Sequence, residues 1–130
     1  MPFRLLPLLL VATLPAHPFD PARDIAMSVV HARLIVAIPA GVHLKANRFT
    51  VTLASGPGRL EVGPLPPAQA RDDAGDPIWR GTVEVPLRAK GLADPAAFRI
   101  GFQPCTEGPD AVCYLPQHRT LAVAAGSLRP

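Results

Sequence analysis

Apolar and polar residues alternate along this chain with a period of two, and proline or glycine cuts the alternation at short intervals. A period of two places successive side chains on opposite faces of an extended strand, whereas one face of a helix repeats every 3.6 residues. Val30, Ala32, Leu34, Val36 and Ile38 form an apolar face with His31 and Arg33 opposite, which predicts one half-buried strand ended by Pro39-Ala40-Gly41. Phe49, Val51 and Leu53 alternate with Thr50 and Thr52, and a turn over 55–58 leads into a short strand over 59–62. The prolines between Gly63 and Pro67 bar a central ladder position there. The polar run from Ala68 to Pro77 is expected as a surface loop, with Trp79 starting the next strand. Val83, Val85 and Leu87, then Phe98, Ile100 and Phe102, give two further strands, and Leu121 and Val123 close the pattern. Six or seven short strands separated by turn signals predict an all-β fold, an immunoglobulin-like antiparallel β-sandwich.

At 48% hydrophobic and 18% charged the chain is too apolar to stay disordered. Its formal charge of +3 comes from lysines and arginines scattered singly, with no stripe to follow a phosphate backbone, so nucleic acid is not an expected partner. The first sixteen residues have the order of a secretory signal: Arg4, an apolar run from Leu5 to Leu14, then small residues ending near Ala16. That run is too short to span a bilayer, which needs about 20 residues, and Pro7 and Pro15 would interrupt it. The expectation is a signal peptide over 1–16 and a single domain over 17–130, monomeric, not membrane-spanning, and periplasmic or secreted.

Export gives the two cysteines a meaning, because disulfides persist in oxidising compartments. Cys105 and Cys113 are expected to pair across one hairpin connection, in the segment Gln103-Pro-Cys-Thr-Glu-Gly-Pro-Asp-Ala-Val-Cys-Tyr-Leu-Pro116. Closing so short a loop restricts the unfolded chain by only about 2.5 kcal/mol. Spacing alone leaves two roles open: an inert hairpin staple, or a local, solvent-accessible disulfide open to attack by a partner thiolate.

Around the cysteines the sequence resembles the N-terminal domain of the DsbD thiol:disulfide interchange proteins, a periplasmic immunoglobulin-like domain. The resemblance rests on Phe102-Gln103-Pro104-Cys105, then Cys113-Tyr114-Leu115-Pro116, then Thr120-Leu121-Ala122-Val123. Upstream, Ala40-Gly-Val-His-Leu44 is similar to that family's Gly-aromatic-aromatic-Leu turn, and Ile78-Trp-Arg80 with Val83-Glu-Val-Pro-Leu87 to a strand pair. It implies a relay of reducing equivalents, without a cofactor, between periplasmic thioredoxin-fold proteins and a separate membrane-linked reductase. It also implies that Cys113 forms the mixed disulfide and Cys105 resolves it. Two departures stand out. The segment between the cysteines has seven residues where the family has five, the excess lying in Glu107-Gly-Pro-Asp110, and the segment matching the family's shielding loop, Arg71-Asp72-Asp73-Ala74-Gly75, has no aromatic.

Tyr114 and Trp79 are the aromatics that could shield the sulfurs in its place, although an aromatic entering a strand is equally a packing residue. Asp72 and Asp73 either tune a neighbouring thiol or form a solvated loop tip. His118 and Arg119 are the cations nearest Cys113 in sequence. His31, His43 and His118 lack metal-ligand spacing, so no metal site is expected, and nucleophile-elbow, Walker and zincin patterns are absent.

Overall fold

The computed structural model describes residues 17–130; the expected signal segment over 1–16 lies outside the described residues. The alternating segments form eleven strands: β1 (Ala26–Val30), β2 (Arg33–Ala37), β3 (Val42–Lys45), β4 (Thr50–Ser55), β5 (Arg59–Val62), β6 (Ala70–Arg71), β7 (Pro77–Trp79), β8 (Thr82–Lys90), β9 (Ala96–Phe102), β10 (Pro104–Thr106) and β11 (Gln117–Val123). Every pairing between them is antiparallel, in sheets ordered β1-β2-β8-β5, β10-β3-β7-β6 and β11-β9-β4. The fold is the expected all-β, immunoglobulin-like antiparallel sandwich. Among the described residues, no helix is long and apolar enough to cross a membrane.

The alternation explains the core. Leu34, Val36, Val51, Val83, Val85, Phe98 and Ile100 are the inward members of their strands, and with Leu44, Phe49 and Trp79 they form one continuous apolar cluster fed by all three sheets. Their intervening neighbours, among them Arg33, Thr50, Thr52, Glu84 and Arg99, are exposed. Trp79 is fully buried, packs edge-on against Phe49 at 5.3 Å and donates its indole N–H to the Pro66 carbonyl at 3.0 Å.

Three expectations need correction. The single strand from Val30 to Ile38 is a hairpin: β1 and β2 pair through Val30 opposite Arg33, with His31 and Ala32 as a two-residue turn at φ 50° and 59°. Such a turn inverts the parity of the strand before it. Val29 therefore faces inward beside Leu34, while Val30 is 43% exposed. The segment over 68–77 is not wholly a loop, since β6 pairs with β7 and Trp79 ends β7 rather than starting a strand. The segments holding β3 and β10 were not expected as strands; each is so short that its alternation gives at most two residues per face.

Positive φ at both central residues defines a type I′ hairpin, which favours glycine or asparagine. Ala32→Gly is therefore expected to stabilise the fold by about 0.5–1 kcal/mol, the relief of left-handed strain less the added freedom of the unfolded chain. The melting temperature should rise by about 2–4 °C in thermal unfolding. An unchanged or lower value would show that the turn residues carry no strain.

Candidate functional site

Strand β3 reads Val42-His43-Leu44-Lys45, and its alternation splits it between two environments. Val42 and Leu44 enter the core; His43 and Lys45 take the other face of the β10-β3-β7-β6 sheet. Opposed residues of an antiparallel pair share a face, so the register assigns the neighbours. Cys105 lies opposite His43, and Ile78 opposite Lys45, whereas Trp79 lies opposite Leu44 on the core side. The face turned away from the core therefore carries Cys105, His43, Lys45 and Ile78.

Cys113 completes that row. It forms a bridge with Cys105, flanked by hydrogen bonds from Thr106 N–H to the Val112 carbonyl at 2.8 Å and from Tyr114 N–H to the Pro104 carbonyl at 3.0 Å. This is the close, non-hydrogen-bonded type of antiparallel pair, with Cα atoms 4.0 Å apart, and the two sulfurs are joined in a disulfide. The Thr106 hydroxyl accepts from Val112 N–H at 2.9 Å and holds the return limb of the loop. The bond is unequally exposed. Cys105 is a buried strand residue at 1% exposure, and Cys113 is exposed. The expected loop-borne, accessible disulfide is thus accessible from one side only.

Beside it opens a hollow of about 250 Å³, lined by His43, Lys45, Asp72, Asp73, Cys105 and Cys113 among others. The structure brings both aspartates of the 71–75 segment to the cysteines, in different roles. Asp73 is exposed. Asp72 is not a solvated tip, because its Oδ1 accepts from Ala74 N–H at 3.0 Å and Asp76 N–H at 2.9 Å. Its Oδ2 accepts from Lys45 Nζ at 2.9 Å, and the same ammonium donates to Asp76 at 2.9 Å. Asp72 folds its own loop and Lys45 ties that loop down over the sheet. The ammonium holds the Asp72 carboxyl below its ordinary value, and the two carboxylates, Asp76 first, hold Lys45 above its own.

Neither aromatic shields the sulfurs from within the hollow. Trp79 is excluded by parity, since its side chain belongs to the core face. Tyr114 is half-buried and packs edge-on against Phe19 at 5.6 Å, its hydroxyl donating to the Phe19 carbonyl at 3.4 Å. Arg119 is no cation for Cys113 either: its guanidinium donates to the carbonyls of Ile25 and Ala22 and stacks over Phe102 at 5.4 Å. Two groups beside the disulfide were not anticipated. His43 Nδ1 and Glu107 Oε1 are 3.0 Å apart, and Arg80 Nε donates to the same oxygen at 2.6 Å. Arg80, followed by His43, holds the Glu107 carboxyl below the ordinary range. The alternation within Val42–Lys45 could have placed His43 on a polar face, but nothing local to it names Cys105 as its neighbour.

The fold and site together define an immunoglobulin-like domain carrying a half-exposed disulfide at the edge of a sheet. Among solved structures it is similar to the reduced form of the DsbD N-terminal domain of Neisseria meningitidis, with a TM-score of 0.59 and 14% identity over 82% of this chain and 90% of that one. No family model and no curated protein matches the sequence. At that identity the likeness is one of fold.

The Lys45 tether gives a pH window. A carboxyl held low stabilises the loop above its ordinary 3.8, and that contribution is lost as pH falls through the still lower folded value. An ammonium held high stabilises below its ordinary 10.5 and is lost as pH rises through the higher folded value. A carbon-13 titration should therefore find Asp72 with a midpoint below 3.8, moving upward in Lys45→Met. An Asp72 midpoint indifferent to Lys45 would show that the tether does not persist in solution.

Proposed function

We propose that this domain is a thiol:disulfide exchange module working through Cys105 and Cys113. The observation that carries the reading is the unequal burial of the bond. A partner thiolate must approach one sulfur in line with the S–S axis, and only Cys113 is exposed enough to be approached. Attack there releases Cys105 as the leaving thiolate inside the sheet. In the reverse direction Cys105 resolves a mixed disulfide held on Cys113. These are the roles that the resemblance to the DsbD domain implies, reached here from burial.

The partner class follows from the surroundings of Cys113. Val112 is 52% and Leu115 81% exposed, so apolar side chains lie on both sides of the accessible cysteine in the chain. That surface suits a thioredoxin-fold protein, whose reactive cysteine must come into contact with Cys113. In this reading the domain is exported, works in the periplasm, needs no cofactor, and exchanges electrons between such partners and a separate membrane-linked reductase. The competing reading is a binding module whose disulfide only pins a hairpin, and the short loop it closes favours that view.

Equilibration against a glutathione series separates the two. A potential above about −300 mV is expected for the exchange module, and a value below it would mark a structural bridge. Cys105→Ala should then trap a mixed disulfide with a thioredoxin-fold protein through Cys113. Failure of that variant to be captured by any such protein would remove the relay.

The apolar flank gives an independent check. Leu115→Asp is expected to slow exchange with a protein partner about ten- to a hundredfold, consistent with the loss of about 1.5–3 kcal/mol of burial in the encounter. Exchange with a small dithiol should be unchanged. Equal slowing of both would mean that Leu115 acts on the disulfide itself rather than on docking.

A further inference from the structure

His43 is a buried polar residue that uses only one of its two ring nitrogens in the oxidised protein. It is buried, at 8% exposure, and its Nε2 has no hydrogen-bond partner among the described residues. Its other nitrogen is committed. A carboxylate only accepts, so the proton between His43 and Glu107 resides on Nδ1, and in the neutral ring Nε2 is then a bare acceptor. Buried acceptors are ordinarily satisfied, so Nε2 is open to a donor from a neighbouring side chain.

Such a donor is available from the facing strand. Cys105 is the cross-strand partner of His43, directly opposed residues have Cβ atoms about 4.5–5.5 Å apart, and both side chains line the same hollow. While the disulfide stands, Cys105 has no proton to give. Once it is broken, Cys105 carries a thiol or thiolate on the same face of the sheet as the imidazole, directly across from it. The other charged groups around the hollow are accounted for. Lys45 is bound to Asp72 and Asp76, Asp73 is exposed, and Arg80 is bound to Glu107. None of them stands opposite Cys105 in the sheet.

The geometry points to His43 as the proton partner of Cys105, with Glu107 and Arg80 holding the imidazole in place. This inference rests on the exchange reading above. In the reductive step a partner thiolate attacks Cys113 Sγ, forming a new S–S bond as the Cys105–Cys113 bond breaks. The electron pair of the broken bond stays on Cys105 Sγ. A proton taken up from solvent resides on His43 Nε2, so the leaving thiolate faces an imidazolium whose Nδ1–H is held by the Glu107 carboxylate. The partner's second thiolate then attacks the partner sulfur of the mixed disulfide, closing the partner's own disulfide and releasing Cys113 as a thiolate that takes a second proton from solvent. Two electrons and two protons have then entered the domain. In the oxidative direction the same ion pair keeps Cys105 as the thiolate that attacks the mixed disulfide at Cys113. The logic is that of a cysteine–histidine–carboxylate set, applied to a leaving and resolving sulfur.

The test titrates Cys105 alone, in Cys113→Ala, by thiolate absorbance near 240 nm. With His43 present the thiolate should form well below the ordinary thiol value of about 8.5. With His43→Phe added it should form above that value, because a buried thiolate would then have no cation. Glu107→Gln should move the titration in the same direction by less, and reduction of the wild-type disulfide by dithiothreitol at pH 7 should slow at least tenfold in His43→Phe. Equal titrations with and without His43 would overturn the assignment. If His43→Phe does not fold, nitrogen-15 shifts of His43 in the unaltered protein decide. Protonation of Nε2 should persist to higher pH in the reduced form than in the oxidised form, and identical ring titrations in both would overturn the inference. A disulfide as resistant to glutathione as a structural bridge, with no captured partner, would instead sink the exchange reading, so the two failures are distinguishable.

Discussion

The pairing of Val42–Lys45 with Pro104–Thr106 is the contact on which the site depends. It joins segments far apart in the chain, with His43 and Glu107 separated by 64 positions, and it settles several things at once. Cys105 becomes a strand residue, fixed in backbone and buried, instead of one end of a mobile loop. His43 is set opposite it. Glu107, the next residue past β10, is anchored by its own N–H on the Gly41 carbonyl at 2.8 Å, which positions its carboxylate under the imidazole. A slip of β10 by one residue would turn Cys105 toward the core and take it off the face that carries His43.

This sheet divides its labour by parity. One face contributes Leu44 and Trp79 to the core, and the other contributes Cys105, His43 and Lys45 to the hollow. The site therefore sits on the outside of a sheet whose inside is fully buried at Leu44 and Trp79, an arrangement that gives reactive side chains a rigid support without placing them in the core. Lys45 extends the same face to the overlying loop, where Asp72 and Asp76 converge on it. Loss of that loop would expose Cys105 and His43 to water and weaken the electrostatics between them.

The architecture was legible in the sequence because long alternating runs report which residues face inward, and Val83–Leu87 and Phe98–Phe102 do so without ambiguity. The hairpin at His31-Ala32 was missed because alternation continues through a two-residue turn, and only the exposure of Val30 shows the inversion. The cysteine pair was legible from spacing and context. Whether Trp79 could shield the sulfurs was open in the sequence, because the face it takes is set by its pairing with Leu44 and not by its neighbours in the chain. Asp72 was underestimated because its partner, Lys45, lies 27 positions away. His43 shows the limit most clearly. Its polar face is written in the four residues of β3, while its opposition to Cys105 is a product of long-range pairing that no local pattern encodes.

The segment between the cysteines links these features. By the resemblance read from the sequence it is two residues longer than the family's, with the excess beginning at Glu107, the residue that binds both His43 and Arg80. A shorter connection across Cys105 and Cys113 would close as a tighter turn directly after Thr106 and leave less chain to place a carboxylate beside the imidazole. The two departures noted in the sequence are then parts of one arrangement. Where no aromatic stands over the sulfurs, a buried imidazole stands beside the inner one, and the longer loop supplies the carboxylate that orients it. Protection of the inner sulfur then comes from burial within the sheet, control of its charge comes from the facing strand, and the outer sulfur is left open to a partner.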